Sequence, residues 1–443
     1  MMVRRVINAF PLVAVALALG VPDVVSAQAE PPPQQRQEAP MYRMPGTSPE
    51  PDRTQRQSAL TERTFSILTA AHEQIGNEQY QEAEARLQEL LGRLGRSSNY
   101  ERALVMQNLG YVYLALERYP QALQMLEQSL QIDALSHRET QDLFRMMGQL
   151  YAVQEQWRES LRVMQRYYYW ESDPPADALL LMATAYAQLE DFRNGILWIQ
   201  RAIQKSSTPR ENWYQLWLAM HHGLREYQES ADVLAQMIAI WPGNKNYWQQ
   251  LAGLLWADLN READALAVWS MAYRRGLLTE ESEILNVVRG YMYRNAPYNG
   301  ARVMRDAMEA GHVRPTLRNW ELLSQAYQLS QENRQAISAL QRAAALSDDG
   351  ELYVREAQLH ASADNWTGVQ TAAANAIQKG GLRNPGRAWM MVGMAAYERK
   401  QYQEALRAFR SAAQHPDSSR LASQWIQHIN HELRVARELR EGI

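Results

Sequence analysis

The stretch "GMAAYERKQYQEALRAF", Gly393 to Phe409, decides how the rest of the chain is read. Its small residues Gly393 and Ala405 stand twelve apart, and Phe409 follows four later. A single amphipathic helix has no use for that spacing, because its buried residues recur every three or four positions. Two helices packed closely against each other do. Only Gly, Ala or Ser leaves room where two backbones approach, and larger residues fill the wedge beside them.

The local context of Ala405 is a small residue with an aromatic three positions earlier and an apolar residue four later. It returns at Ala83, Ala122, Ser160, Gly195, Ser230, Ala265, Gly300, Ala336 and Val369. Successive anchors are separated by 39, 38, 35, 35, 35, 35, 36, 33 and 36 residues, and nine of the ten are Ala, Ser or Gly. The aromatic is present in seven units, as Tyr80, Tyr119, Trp157, Phe192, Tyr227, Trp366 and Tyr402. Twelve before the anchors stand Gly110, Gly148, Ala183 and Gly393, the first three followed by Tyr113, Tyr151 and Tyr186.

A period near 34 with this internal pattern resembles the tetratricopeptide repeat, in which each unit is a pair of antiparallel helices. Pro242, twelve after Ser230, falls where that repeat places its helix-ending proline. The resemblance implies an all-α, right-handed superhelical solenoid of about ten helix-turn-helix repeats over residues 61–417. Each unit buries its apolar face only against its neighbours, so the array needs a capped end. "LASQWIQHINHELRVARELR" (421–440) has apolar residues at helical spacing and a charged far side, and residues 418–443 are read as the capping helix.

Composition narrows the function. The formal net charge of −3 supplies no basic footprint for nucleic acid. The absence of cysteine excludes disulfides, thiolate metal sites and a cysteine nucleophile. There is no P-loop, H-E-x-x-H or G-x-S-x-G motif. His428, His431 and Glu432 lie together on the capping helix but lack the further ligands of a metal site. The "YYYW" run at 167–170 reads as core filler and inter-repeat wedge. The repeats use nearly the whole chain after the leader, so no catalytic residue, cofactor or metal is expected.

The first residues set the expected compartment. Arg4 and Arg5 precede the apolar run "VINAFPLVAVALALG" (6–20), and Val25-Ser26-Ala27 and Ala27-Gln28-Ala29 offer small residues for cleavage. This is a secretory signal peptide pattern over residues 1–27, with cleavage after Ala27 or Ala29. The run is shorter than the ~20 residues of a spanning helix. The protein is therefore expected in the periplasm of a Gram-negative cell. Residues 28–60, rich in Pro and Gln, read as a flexible segment.

Solenoids bind through their concave face, and the tetratricopeptide resemblance implies that the second, fifth, ninth and twelfth positions of each first helix point into it. The expected partner-binding groove carries Gln107, Tyr111, Arg145 and Gln149, then Asn212, Gln215, Asn246, Gln249 and Trp256. Arg289, Arg318, Glu321, Gln325, Gln328, Arg387 and Tyr397 continue it. Asn and Gln offer both a donor and an acceptor, which suits the backbone of an extended peptide. Ordinary solvated helix faces would also carry such residues.

A more specific likeness runs through "YERALVMQNLGYVYLALERYPQAL" (100–123), "DPPADALLLMATAYAQL" (173–189), "YWQQLAGLL" (247–255), "LSDDGELY" (346–353) and "KGGLRNPGRAWMMVGMAAY" (379–397). These segments resemble the periplasmic tetratricopeptide-repeat proteins of gammaproteobacteria encoded beside TonB, ExbB and ExbD genes. The resemblance implies a non-enzymatic adaptor for nutrient uptake, such as that of iron complexes. Its partners would be TonB, ExbB, ExbD or a TonB-dependent receptor, with the membrane reached only through them. The alternative is a scaffold for peptidoglycan or outer-membrane assembly factors.

Overall fold

The computed structural model describes residues 50–53, 59–95 and 99–441, with side chains to 439. The signal peptide expected at 1–27 and most of segment 28–60 lie outside the described residues. Among the described residues the chain is helical and divides into two compact units, one ending at Asn260 and the other running from Arg261.

Unit 1 holds five hairpins and one further helix. They are α1 (Glu62–Gly76) with α2 (Tyr80–Arg93), α3 (Asn99–Ala115) with α4 (Tyr119–Ile132), and α5 (His137–Val153) with α6 (Trp157–Trp170). Next come α7 (Ala176–Gln188) with α8 (Phe192–Lys205), α9 (Glu211–Gly223) with α10 (Tyr227–Ile240), and α11 (Lys245–Gly253). Unit 2 opens on α12 (Glu262–Arg274). It continues with α13 (Glu281–Tyr293) and α14 (Pro297–Glu309), then α15 (Leu317–Leu329) and α16 (Asn333–Leu346). It ends with α17 (Glu351–Ser362) and α18 (Trp366–Lys379), α19 (Pro385–Glu398) and α20 (Tyr402–Ala413), and the long α21 (Pro416–Glu441). Odd-numbered helices up to α19 are the first helices of repeats.

Every first helix is followed by a left-handed residue at one fixed position, and in nine of the ten, α11 excepted, by the same turn. Glu78, Glu117, Glu155, Glu190, Arg225, Asn260, Asn295, Gln331, Asp364 and Lys400 are left-handed, and each lies five residues before its anchor. The next amide reaches back five residues, as Arg118 N–H does to Tyr113 O at 2.8 Å and Gln401 N–H to Ala396 O at 2.8 Å. This is Schellman closure, which satisfies carbonyls that a helix end leaves open. The expected register therefore holds in all ten repeats, including those anchored at Gly300 and Val369.

The twelve-residue spacing has a direct cause. Ser160 Oγ donates to Gly148 O at 2.7 Å, and Ser324 Oγ donates to Ala336 O at 2.9 Å, each twelve residues away. A Cβ built on Gly300 would stand 3.0 Å from Val288 O, again twelve away. The glycines of the first helix serve the residue sixteen later. A Cβ at Gly393 would come within 2.6 Å of Phe409, and one at Gly148 within 2.6 Å of Met164. Backbone approach thus takes a small side chain at this level in nine of the ten units, Val369 being the exception, and a large residue covers the gap one turn on.

Three local features depart from the regular repeat. Residues Leu254–Asp258 form a π turn continuing α11, with Leu259 N–H bonded to Leu254 O at 3.0 Å. A π turn inserts one residue and shifts the face on which later side chains lie. At the other end α21 covers α19 and α20, with Trp425 stacked on Phe409 at 5.6 Å and Ala422 and Ile429 fully buried. Finally, residues 50–53 belong to the segment read as flexible, yet they are held. Arg53 Nε donates to Asp133 Oδ1 at 2.8 Å, and Arg166 Nη2 donates to Glu50 Oε2 at 3.1 Å.

Candidate interaction site

In unit 2 the first helix α15 presents Arg318, Glu321, Gln325 and Gln328, at steps of three and four, along one face. That face opens on a cavity of about 650 Å3, completed by Arg289 from α13, Arg355 from α17, and Leu322 and Leu329. Arg355 Nη1 donates to Glu321 Oε1 at 2.6 Å, and Arg289 Nη1 donates to Asn286 Oδ1 at 3.3 Å. Gln328 Nε2 donates to Ser324 Oγ at 3.0 Å, the hydroxyl that already crosses to the second helix. The packing contact of the hairpin thereby orients one amide of the wall, while Gln325 stays exposed beside it.

The other expected residue positions of unit 2 differ. Arg387 is exposed on the first turn of α19. Tyr397 is turned into the capping helix, where its hydroxyl donates to Glu432 Oε1 at 3.1 Å and lies 3.2 Å from His428 Nε2. Its ring meets Trp425 edge-on at 5.1 Å. Desolvation, aided by Glu432, pushes its phenol up. Tyr397 therefore serves the cap, held against α21 by its hydroxyl and its ring.

Unit 1 arranges its inner face in another way. Gln107 is buried and donates to Tyr111 Oη at 2.6 Å, and burial pushes the Tyr111 phenol up to about 12. On the same helix Asn108 Oδ1 lies 2.6 Å from His72 Nε2, and Glu101 accepts from Thr61 N–H at 2.7 Å. Arg145 is half-buried, 3.8 Å from Asp142, and Gln149 is half-buried too. Asn212 and Gln215 are exposed on α9, and Gln215 Nε2 donates to Tyr247 Oη at 3.2 Å. The row of Gln215 thus continues at Tyr247, one residue beyond the expected Asn246. Asn246 is exposed and Gln249 half-buried, while Trp256 is drawn into the π turn. Of the "YYYW" run, Tyr167 and Tyr168 are buried, 5.0 Å apart edge to face.

Carboxylates at the start of alternate first helices escaped the sequence reading. Glu211, Glu281 and Glu351 are spaced by 70 residues, two repeats each. Glu211 accepts from Asn244 Nδ2 at 3.0 Å, Glu281 from Arg314 Nε at 2.7 Å and Asn319 Nδ2 at 2.7 Å, and Glu351 from Arg383 N–H at 2.7 Å. Each bond joins one repeat to the next, 32 to 38 residues on. The Arg314 and Asn319 donors hold the Glu281 carboxyl below its ordinary value. The 70-residue spacing was the available signal. It was masked because an acid in a first helical turn also answers the ordinary helix dipole.

Comparison with known sequences adds one match. Residues 67–134 fit the model of the tetratricopeptide repeat. The matched stretch runs from within α1 to just past the end of α4, the first two hairpins of unit 1. Among curated proteins no sequence matches the chain. Solved structures similar to it include a tetratricopeptide repeat protein from Parabacteroides merdae, 13% identical, covering 68% of this chain and 99% of that one at a TM-score of 0.35. MamA is 20% identical over 35% of this chain and 88% of its own, at a TM-score of 0.28. The Cut9–Hcn1 hetero-tetramer of APC/C is 13% identical over 80% and 79%, at 0.26. The repeat assignment rests on the ten left-handed turn residues and on the matched sequence. Among the described residues each unit is an all-α array of tetratricopeptide-type hairpins, a fold suited to protein–protein interaction as adaptor or scaffold.

Proposed function

We propose that this protein is a non-enzymatic periplasmic adaptor, accessory to a TonB–ExbB–ExbD energy-transducing system. It holds an extended segment of a partner against the first helices of its repeats. The open wall of α15 is the observation that carries the binding role, since four polar side chains stand on one helix face whose backbone is already ordered before a partner arrives. The TonB connection is supported by the loop segments "SDDGELY" (347–353) and "KGGLRNPGRAW" (379–389), which the hairpin geometry alone does not require. Location in the periplasm is supported by the leader pattern of residues 1–27.

Chemical cross-linking in intact cells followed by affinity capture tests this reading. Recovery of TonB, ExbB, ExbD or a TonB-dependent receptor is the expected result. Recovery of murein synthases, murein hydrolases or barrel-assembly proteins instead transfers the protein to envelope assembly. Retention in the cytoplasm with its leader uncleaved overturns the periplasmic reading.

A further inference from the structure

Charge distinguishes the α15 cavity from the other inner faces. Three arginines, Arg289, Arg318 and Arg355, line it against one carboxylate, Glu321. That carboxylate is already taken by Arg355. Arg289 reaches only the neutral Asn286 amide, and among the described residues Arg318 has no carboxylate partner. Two guanidinium groups sharing one wall repel each other until an anion joins them. The planar guanidinium fork matches a carboxylate in bidentate fashion.

The neighbours of the arginines specify more. Exposed Gln325 offers a donor and an acceptor to a peptide backbone. Leu329, 57% exposed, adds an apolar surface at the edge of the cavity. The chain as a whole carries a net charge of −3, so there is no extended basic field of the kind that tracks a nucleic-acid backbone.

We propose that this cavity takes an acidic extended segment of a partner protein, one side-chain carboxylate on Arg289, another on Arg318, and an apolar residue against Leu329. The proposal rests on the adaptor reading above and names the chemistry of the segment that the adaptor holds.

Fluorescence anisotropy with the full chain and three short labelled peptides tests it. One peptide is rich in Glu, Asp and Leu, the second has every acid replaced by its amide, and the third by Lys. The acidic peptide is expected to bind on the order of tenfold more tightly than the amide version, and to weaken as salt is raised. Arg289→Glu combined with Arg318→Glu removes that preference. Arg334→Glu, an exposed change on α16, leaves it intact, and unchanged far-UV circular dichroism shows that each variant is folded. Equal binding of acidic and amide peptides overturns the proposal, as does a double variant that still prefers the acidic one. If cross-linking in cells captures periplasmic partners while all three peptides fail, the acidic-segment assignment falls and the adaptor reading stands. If capture fails as well, the adaptor reading falls with it.

Discussion

The inner helices α3 and α15 share one turn design but differ in surface. Both end in a left-handed residue, Glu117 or Gln331, and both present a small residue, Gly110 or Ser324, to the second helix. On α3 the polar groups turn inward: Gln107 to Tyr111, Asn108 to His72, Glu101 to Thr61. On α15 they line an open cavity. Packing between the two helices of a hairpin is therefore separable from what its inner face offers. The first is fixed by steric volume, the second by which polar side chains find partners within the chain.

The largest effect comes from breaking what the two helices share. A Cβ at Gly110 would stand 2.7 Å from Leu126 Cγ, so Gly110→Leu overpacks the α3–α4 contact. Urea unfolding should show a loss of about 3 kcal/mol. An unchanged midpoint would refute the close approach. Ser324→Ala, the counterpart on α15, nearly keeps the volume and removes the bond to Ala336 O together with the one accepted from Gln328 Nε2. Its expected cost is about 1 kcal/mol. A loss as large as that at Gly110 would mean that the hydroxyl, and not the small volume, sets the contact.

The turns should respond with the opposite sign. Gln331 has φ 62, a conformation that costs a residue with a side chain about 1 kcal/mol and glycine almost nothing. Gln331→Gly and Glu117→Gly should each stabilise by up to about 1 kcal/mol. Destabilisation by both would show that the turn needs its side chain.

The closed face of α3 can be sharpened by titration. A wild-type minus Tyr111→Phe difference spectrum should show phenolate absorbance rising near pH 12, against about 10 for a free tyrosine. The folded state holds this proton more tightly than the unfolded one. The resulting stabilisation is complete below pH about 10 and is lost as pH rises toward 12. Ionisation at the ordinary value would show that the α3 face is open to solvent.

These differences explain what was legible in the sequence. The anchors could be read because a steric limit such as that at Gly300 leaves few residues to choose from, so a small residue recurs in nine of the ten units. The inner wall could be read at α15, where Arg318, Glu321, Gln325 and Gln328 keep strict helical steps. It failed at α11, where the row runs through Tyr247 and the π turn carries Trp256 onto a different path. Polar identity carries no geometric signature. Gln107 and Gln325 are the same residue type at related positions, and only the neighbours decide that one is buried and the other exposed. Leu329 and Arg355 were missed because an exposed leucine and a paired arginine look ordinary one at a time.

The central claim is that α15, and not α3, presents the surface that meets a partner. Site-specific photo-cross-linking in living cells tests it most directly, with the photoreactive residue placed in turn at Gln325 and at Gln107. A discrete adduct from Gln325 and none from Gln107 is the expected result. Equal labelling from both positions, or labelling from Gln107 alone, would contradict the account.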